Sequence, residues 1–124
     1  MADLDTDNFG NDGARAYLAL LAAKLVATVT EILNSAERLD PDEDGESMFM
    51  PSVELLALLC ERYGADPPRP DNVRAWADRY LAAYDAWVAR KKKLSPEYKV
   101  ERRRVIENTF RWLGGLAETH WDSP

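Results

Sequence analysis

The run Asp40-Pro41-Asp42-Glu43-Asp44-Gly45-Glu46 sets carboxylates at every second position, the spacing with which a calcium loop begins. Asp40, Asp42, Asp44 and Gly45 match positions one, three, five and six of such a loop. The oxygen cage is closed by a bidentate carboxylate at position twelve, which here is Pro51. Position eight, an aliphatic residue where loops pair, is Ser47. Asp40, Asp42 and Asp44 are therefore candidate divalent-ion ligands without their closing group, and an acidic loop over residues 36–50 is the expectation. The earlier acidic stretch has the same defect: counting twelve from Asp3, Asp5 or Asp7 reaches Ala14, Ala16 or Leu18. That stretch reads as the start of a helix, and no cofactor is expected.

Positive charge gathers in RKKKLSPEYKVERRR, residues 90–104, with eight basic and two acidic side chains. Such a run can meet phosphates, which makes nucleic acid one reading. Against it stand a net charge of −6 and the lack of a recognition helix. The two halves are polarised: residues 1–66 hold 14 acids and 4 bases, a balance of −10, and residues 67–124 hold 8 and 12, a balance of +4. Charges so arranged either pair across the fold or steer a protein partner. Glu43, Glu46, Arg90, Lys91, Lys92, Lys93 and Arg103 are the candidate partner-binding residues. Arg102 projects instead toward an apolar face, as a buried or interfacial ion-pair partner.

Catalytic side chains are few. His120 is the only histidine, which excludes two-histidine metal motifs and leaves one residue to serve any Ser-His-Asp triad. Cys60 is the only cysteine, so an internal disulfide and a cysteine zinc site are excluded. It falls on the packed side of its helix with no cation nearby in sequence to lower its pKa. No enzyme is expected.

The elements that must carry these residues are all helical. Asn11 or Asp12 caps a first helix running to about Ser35. Its polar stripe is narrow (Lys24, Thr28, Glu31 and Ser35, with Tyr17), so the helix is expected to lie at the centre of the fold or to be shared with a second subunit. A second helix starts near Pro51 and stops at Gly64, with Val53, Leu55, Leu56, Leu59, Cys60 and Tyr63 facing inward and Leu58 outward. The Pro-rich connector 65–70 leads to a third helix reaching about Lys92. Its stripe of Val73, Trp76, Tyr80, Tyr84, Trp87 and Val88 reads as core. Ser95-Pro96-Glu97 opens a fourth, with Val105, Thr109, Trp112, Leu113 and Leu116 inside. Gly114-Gly115 is expected to end or bend it, with His120 on the inner face if the wheel continues. No strand pattern or internal repeat is present. The expectation is an all-α single domain over 1–124, a bundle of about four helices behind an irregular segment 1–10.

Met1-Ala2-Asp3-Leu4-Asp5 lacks the basic and apolar run of a secretory leader. Residues 16–33 come nearest to a membrane span and are interrupted by Lys24 and Glu31. A soluble, cytoplasmic protein with no membrane partner is expected.

Phe9-Gly10-Asn11-Asp12 with Ala14, the segment Met50-Pro51-Ser52-Val53-Glu54-Leu55-Leu56-Ala57-Leu58, and Tyr98-Lys99-Val100-Glu101-Arg102-Arg103-Arg104 together resemble the bacterial family known as domain of unknown function 4259. That family carries a Trp-Gly-x-Gly run before Phe-Asp-Asn-Asp. Here Leu4, Asp5 and Asp7 stand in place of its tryptophan and two glycines, and Gly10 replaces the first Asp. The resemblance implies a bacterial cytoplasmic protein and supplies no catalytic residue. The functional expectation is an accessory, regulatory or immunity-type factor acting through protein–protein contacts or self-association, with ion, small-ligand or nucleic-acid binding as alternatives.

Overall fold

The computed structural model describes residues 6–122, and within them the chain is all-α, without a strand. The expected bundle of about four helices is corrected to five: α1 (Asp12–Leu33), α2 (Ala36–Leu39), α3 (Met50–Tyr63), α4 (Pro70–Arg90) and α5 (Pro96–Trp121). Residues 6–10 form an irregular turn, whereas residues 1–5 of the expected irregular segment, including Asp3 and Asp5, lie outside the described residues.

Local chemistry sets most boundaries. Asn11 caps α1, its side chain accepting from the Ala14 amide at 2.8 Å, and Ser95 caps α5 by accepting from Tyr98 at 3.1 Å. Gly64 ends α3 at φ 78°, a left-handed conformation that glycine adopts without strain. The connector is shortened to 65–69, because Pro70 already belongs to α4. It has no regular secondary structure and is pinned by α5: Trp121 donates to the Pro67 carbonyl at 2.9 Å, and the Arg69 guanidinium lies 4.0 Å from the centre of the Trp121 ring.

Segment 36–50 is not a loop. Ser35 caps α2, and Pro41–Phe49 is a wide-turn helical segment with a kink at Glu43 (φ −100°, ψ −115°) that runs directly into α3. Helix start signals at Pro51 therefore mark the interior of a longer helical stretch. Its acids act locally: Asp40 accepts from the Asp42 amide at 2.9 Å, and the amides of Glu43 and Gly45 donate to the Asp40 carbonyl. Gly45 is buried against α4, and a Cβ there would lie 2.8 Å from Tyr80 Cε1 and 2.3 Å from the Leu39 carbonyl oxygen. Close packing, rather than a calcium turn, accounts for this glycine.

The core joins α3 to both α1 and α5, with α4 laid along α5. Val29, Ile32, Phe49, Val53, Leu56, Tyr80, Ile106 and Leu113 are fully enclosed. Each large side chain so buried contributes roughly 1.5–3 kcal/mol of transfer free energy. Phe49 stacks on Tyr80 at 5.0 Å between ring centroids and meets Phe110 at 6.3 Å. The expected aromatic stripe is indeed core: Val73, Trp76, Tyr80, Tyr84 and Trp87 are buried.

Four assignments along the helices are corrected. α5 passes Gly114-Gly115 without a break, anchored on both sides by buried Leu113 and Ala117. Its buried line is Ile106, Thr109, Phe110, Leu113 and Ala117, which leaves Val105 exposed. His120 is exposed as well, and on α3 Leu55 faces solvent like Leu58 because Ala57, not Leu55, meets the core.

Candidate functional site

The two charged segments meet each other. Arg90 and Lys91 at the end of α4 reach Asp40 and Asp42, and Arg102 in α5 reaches Glu46. Asp40 is paired by Arg90, Asp42 by Lys91 at 2.7 Å, Asp44 by Arg38 at 2.7 Å, and Glu46 by Arg102 at 2.7 Å. Each candidate calcium ligand thus faces its own cation. Among the described residues, no cluster of three or more histidine, cysteine, aspartate or glutamate side chains could hold a metal ion.

Asp42 sits below the usual carboxylate range, first because Lys91 donates to it and second because the Trp87 indole faces it. The buried Trp87 Nε1–H makes no fully formed hydrogen bond, so its influence on Asp42 is that of a nearby dipole. Lys91 also lies 5.9 Å from the Trp87 ring centroid.

Glu46 is the most enclosed of these acids. Arg102 donates to it through Nε at 2.7 Å and Nη2 at 3.1 Å, a two-pronged grip, and the Tyr80 hydroxyl donates to Oε2. Burial, and then Glu46, push the Tyr80 hydroxyl far above its ordinary pKa, so it remains a donor. Neighbouring Tyr84 donates to the Lys99 carbonyl at 2.9 Å. Arg103 is committed elsewhere, to Asp85 at 2.9 Å and Glu107 at 2.6 Å. Of the partner-binding candidates read from the sequence, the structure thus brings Glu46, Arg90, Lys91 and Arg103 into intramolecular pairs. Glu43, Lys92 and Lys93 stand exposed, without an ion-pair partner among the described residues.

Cys60 and His120 line one open cleft of about 570 Å³ with Trp112, Leu116 and Arg111, an association that sequence spacing does not reveal. Burial, helped by Asp66, pushes the Cys60 thiol up to about 11, which leaves almost no thiolate near neutrality. His120 Nε2 lies 3.4 Å from Asp66 Oδ1 at the rim. The cleft therefore holds a protonated thiol and an imidazole turned to a carboxylate, not an activated nucleophile with its base.

The face that sequence reasoning left open is on α1. Leu18, Ala22, Val29, Ile32 and Leu33 are buried, while Ala16, Ala19, Leu20, Ala23 and Ala27 form an outward stripe within about 100° of arc. Leu20 is 52% exposed and Tyr17, at its edge, 58%. The helix is long and apolar enough by length and composition to cross a membrane: its most apolar 18-residue stretch has mean hydropathy 1.7, yet only 28% of that stretch is buried. Apolar residues on both faces of a helix that packs on one face are the signal the sequence does carry, as the narrowness of its polar stripe. Comparison of the chain with family models, with curated proteins and with solved structures returned no match.

Proposed function

We propose that the protein is a small helical interaction factor, of the accessory, regulatory or immunity type, whose working surface is the outward face of α1. The observation that carries this reading is that the most apolar 18-residue stretch of α1, with mean hydropathy 1.7, is only 28% buried. The charged segments first singled out become structural in this reading, because six of their side chains (Asp40, Asp42, Glu46, Arg90, Lys91 and Arg102) hold one another. Cys60 is protonated near neutrality and so is no activated nucleophile. Among the described residues of the basic segment, Lys92, Lys93 and Lys99 are left without an ion pair to meet phosphates. A bacterial origin and a cytoplasmic setting, implied by the family resemblance, belong to the same proposal.

The test is retention of assembly partners by wild type, Leu20→Glu and a Lys92→Ala/Lys93→Ala variant, after nuclease treatment. Loss with Leu20→Glu alone, at unchanged melting temperature, is the expected outcome. Retention by Leu20→Glu with loss in the lysine variant would move the working surface to the basic segment.

A further inference from the structure

The α1 stripe is bordered on one flank by Lys24 and Glu31, both exposed. Neither has an intramolecular ion-pair partner among the described residues. They are seven residues apart, on the same side of the stripe and about 10.5 Å apart along the axis. A cation and an anion so placed are complementary to their own copy reversed. In an antiparallel two-fold pair, residues on the same flank face each other, so the contact is isologous. Placing the two-fold axis between Ala27 and Thr28 sets Lys24 of one copy opposite Glu31 of the other, and the reverse, forming two ion pairs at once.

In that register the two α1 helices overlap over residues 22–33. Ala27 lies at the axis, Ala23 and Thr30 lie on either side of it, and Leu20 lies opposite Ser35 of the second copy, just past the end of its α1. Side chains as small as alanine let two helix backbones approach closely, and the Thr30 hydroxyl is already satisfied by the Val26 carbonyl at 2.8 Å, so no polar group is stranded. An unrelated partner carrying one sign of charge would leave either Lys24 or Glu31 unmatched. We infer that the outward face of α1 pairs with the same face of a second copy of this chain, antiparallel, through Lys24–Glu31 ion pairs around Ala23 and Ala27. This rests on the reading of α1 as the working surface and names its occupant.

The experiment is sedimentation equilibrium of the full chain from about 1 to 300 µM, with Lys24→Glu, Glu31→Lys and the double variant. Wild type forms dimers. Either single swap weakens them at least about fivefold, the equivalent of about 1 kcal/mol. The double variant recovers, and a mixture of the two single variants forms heterodimers. Orientation is read by disulfide capture: Ala27→Cys links two copies, whereas Ala23→Cys, opposite residue 32 of the second copy, does not.

A wild-type chain that stays monomeric at 300 µM, or a dimer indifferent to the swaps, overturns the inference. So does a chain that is monomeric but floats with phosphatidylcholine–phosphatidylglycerol vesicles, since the face then meets lipid. In any of these cases, loss of a different partner with Leu20→Glu would leave the α1 reading standing while the self-pairing fails.

Discussion

The Tyr80 hydroxyl on α4 donates to the same Glu46 carboxylate that Arg102 of α5 grips at 2.7 and 3.1 Å, so one acid ties three segments together. Glu46 and Arg102 are each about three-quarters shielded from solvent. Removing the acid leaves a guanidinium and a phenol without their shared acceptor. Glu46→Ala should lower unfolding free energy by about 2 kcal/mol, and Tyr80→Phe, which keeps the ion pair, by about 1 kcal/mol. Urea unfolding at neutral pH reads both, and equal costs for the two would mean that Arg102 adds nothing.

Three glycines should respond in opposite directions. Gly45→Ala forces a methyl to within 2.8 Å of the Tyr80 ring and 2.3 Å of a backbone oxygen, so a loss of about 3 kcal/mol or more is expected. A methyl added at Gly115 would meet nothing within 4 Å, and one at Gly114 would find Val73 Cγ1 nearest, at 3.7 Å. Alanine at either should raise stability by about 0.5–1 kcal/mol by favouring the helical backbone. Thermal denaturation of the three variants checks the signs.

Much of this fold is readable in the sequence where the cause is local. Asn11, Ser95 and Gly64 act on their own helix ends, and the Trp76–Tyr80–Tyr84–Trp87 spacing puts its rings on one side whatever packs there. Partner choice is different. Glu46 and Arg102 are 56 residues apart, and Asp40 meets Arg90 across 50, so the acidic run reads as solvated until the bundle brings cations to it. Gly114-Gly115 looks like a helix end because propensity is local, yet burial of Leu113 and Ala117 outweighs it. On α1, apolar residues nearly all round the wheel give no indication of which arc the fold covers.

The pH dependence should have an acid limb and an alkaline limb. Asp85 and Asp42 are held below their ordinary range when folded, chiefly because Arg103 and Lys91 donate to them. A depressed carboxyl contributes stability above its unfolded value near 3.8, and the contribution is lost as pH falls through the lower folded value. The thermal midpoint should drop below about pH 4, and less steeply in Asp85→Asn. Cys60 is shifted the other way, from 9.0 to about 11. Its contribution is complete below 9.0 and is lost as pH rises through about 11, so Cys60→Ala should flatten that part of the curve.

Calcium provides a separate check on the acidic segment. With Asp40, Asp42 and Asp44 each facing Arg90, Lys91 or Arg38, millimolar calcium should leave the melting temperature unchanged. A rise that disappears in Asp42→Asn would show that the cations give way to an ion.

The most direct measurement is the alkylation rate of a thiol placed at Ala27→Cys, compared with one at Val100→Cys, which is 71% exposed on α5. Buried, protonated Cys60 contributes only a slow background. The rates should be equal in dilute purified protein. In concentrated protein or in lysate, position 27 should slow at least about tenfold while position 100 does not. Equal rates under every condition would mean that the α1 face stays open, which would contradict its proposed role as the interaction surface.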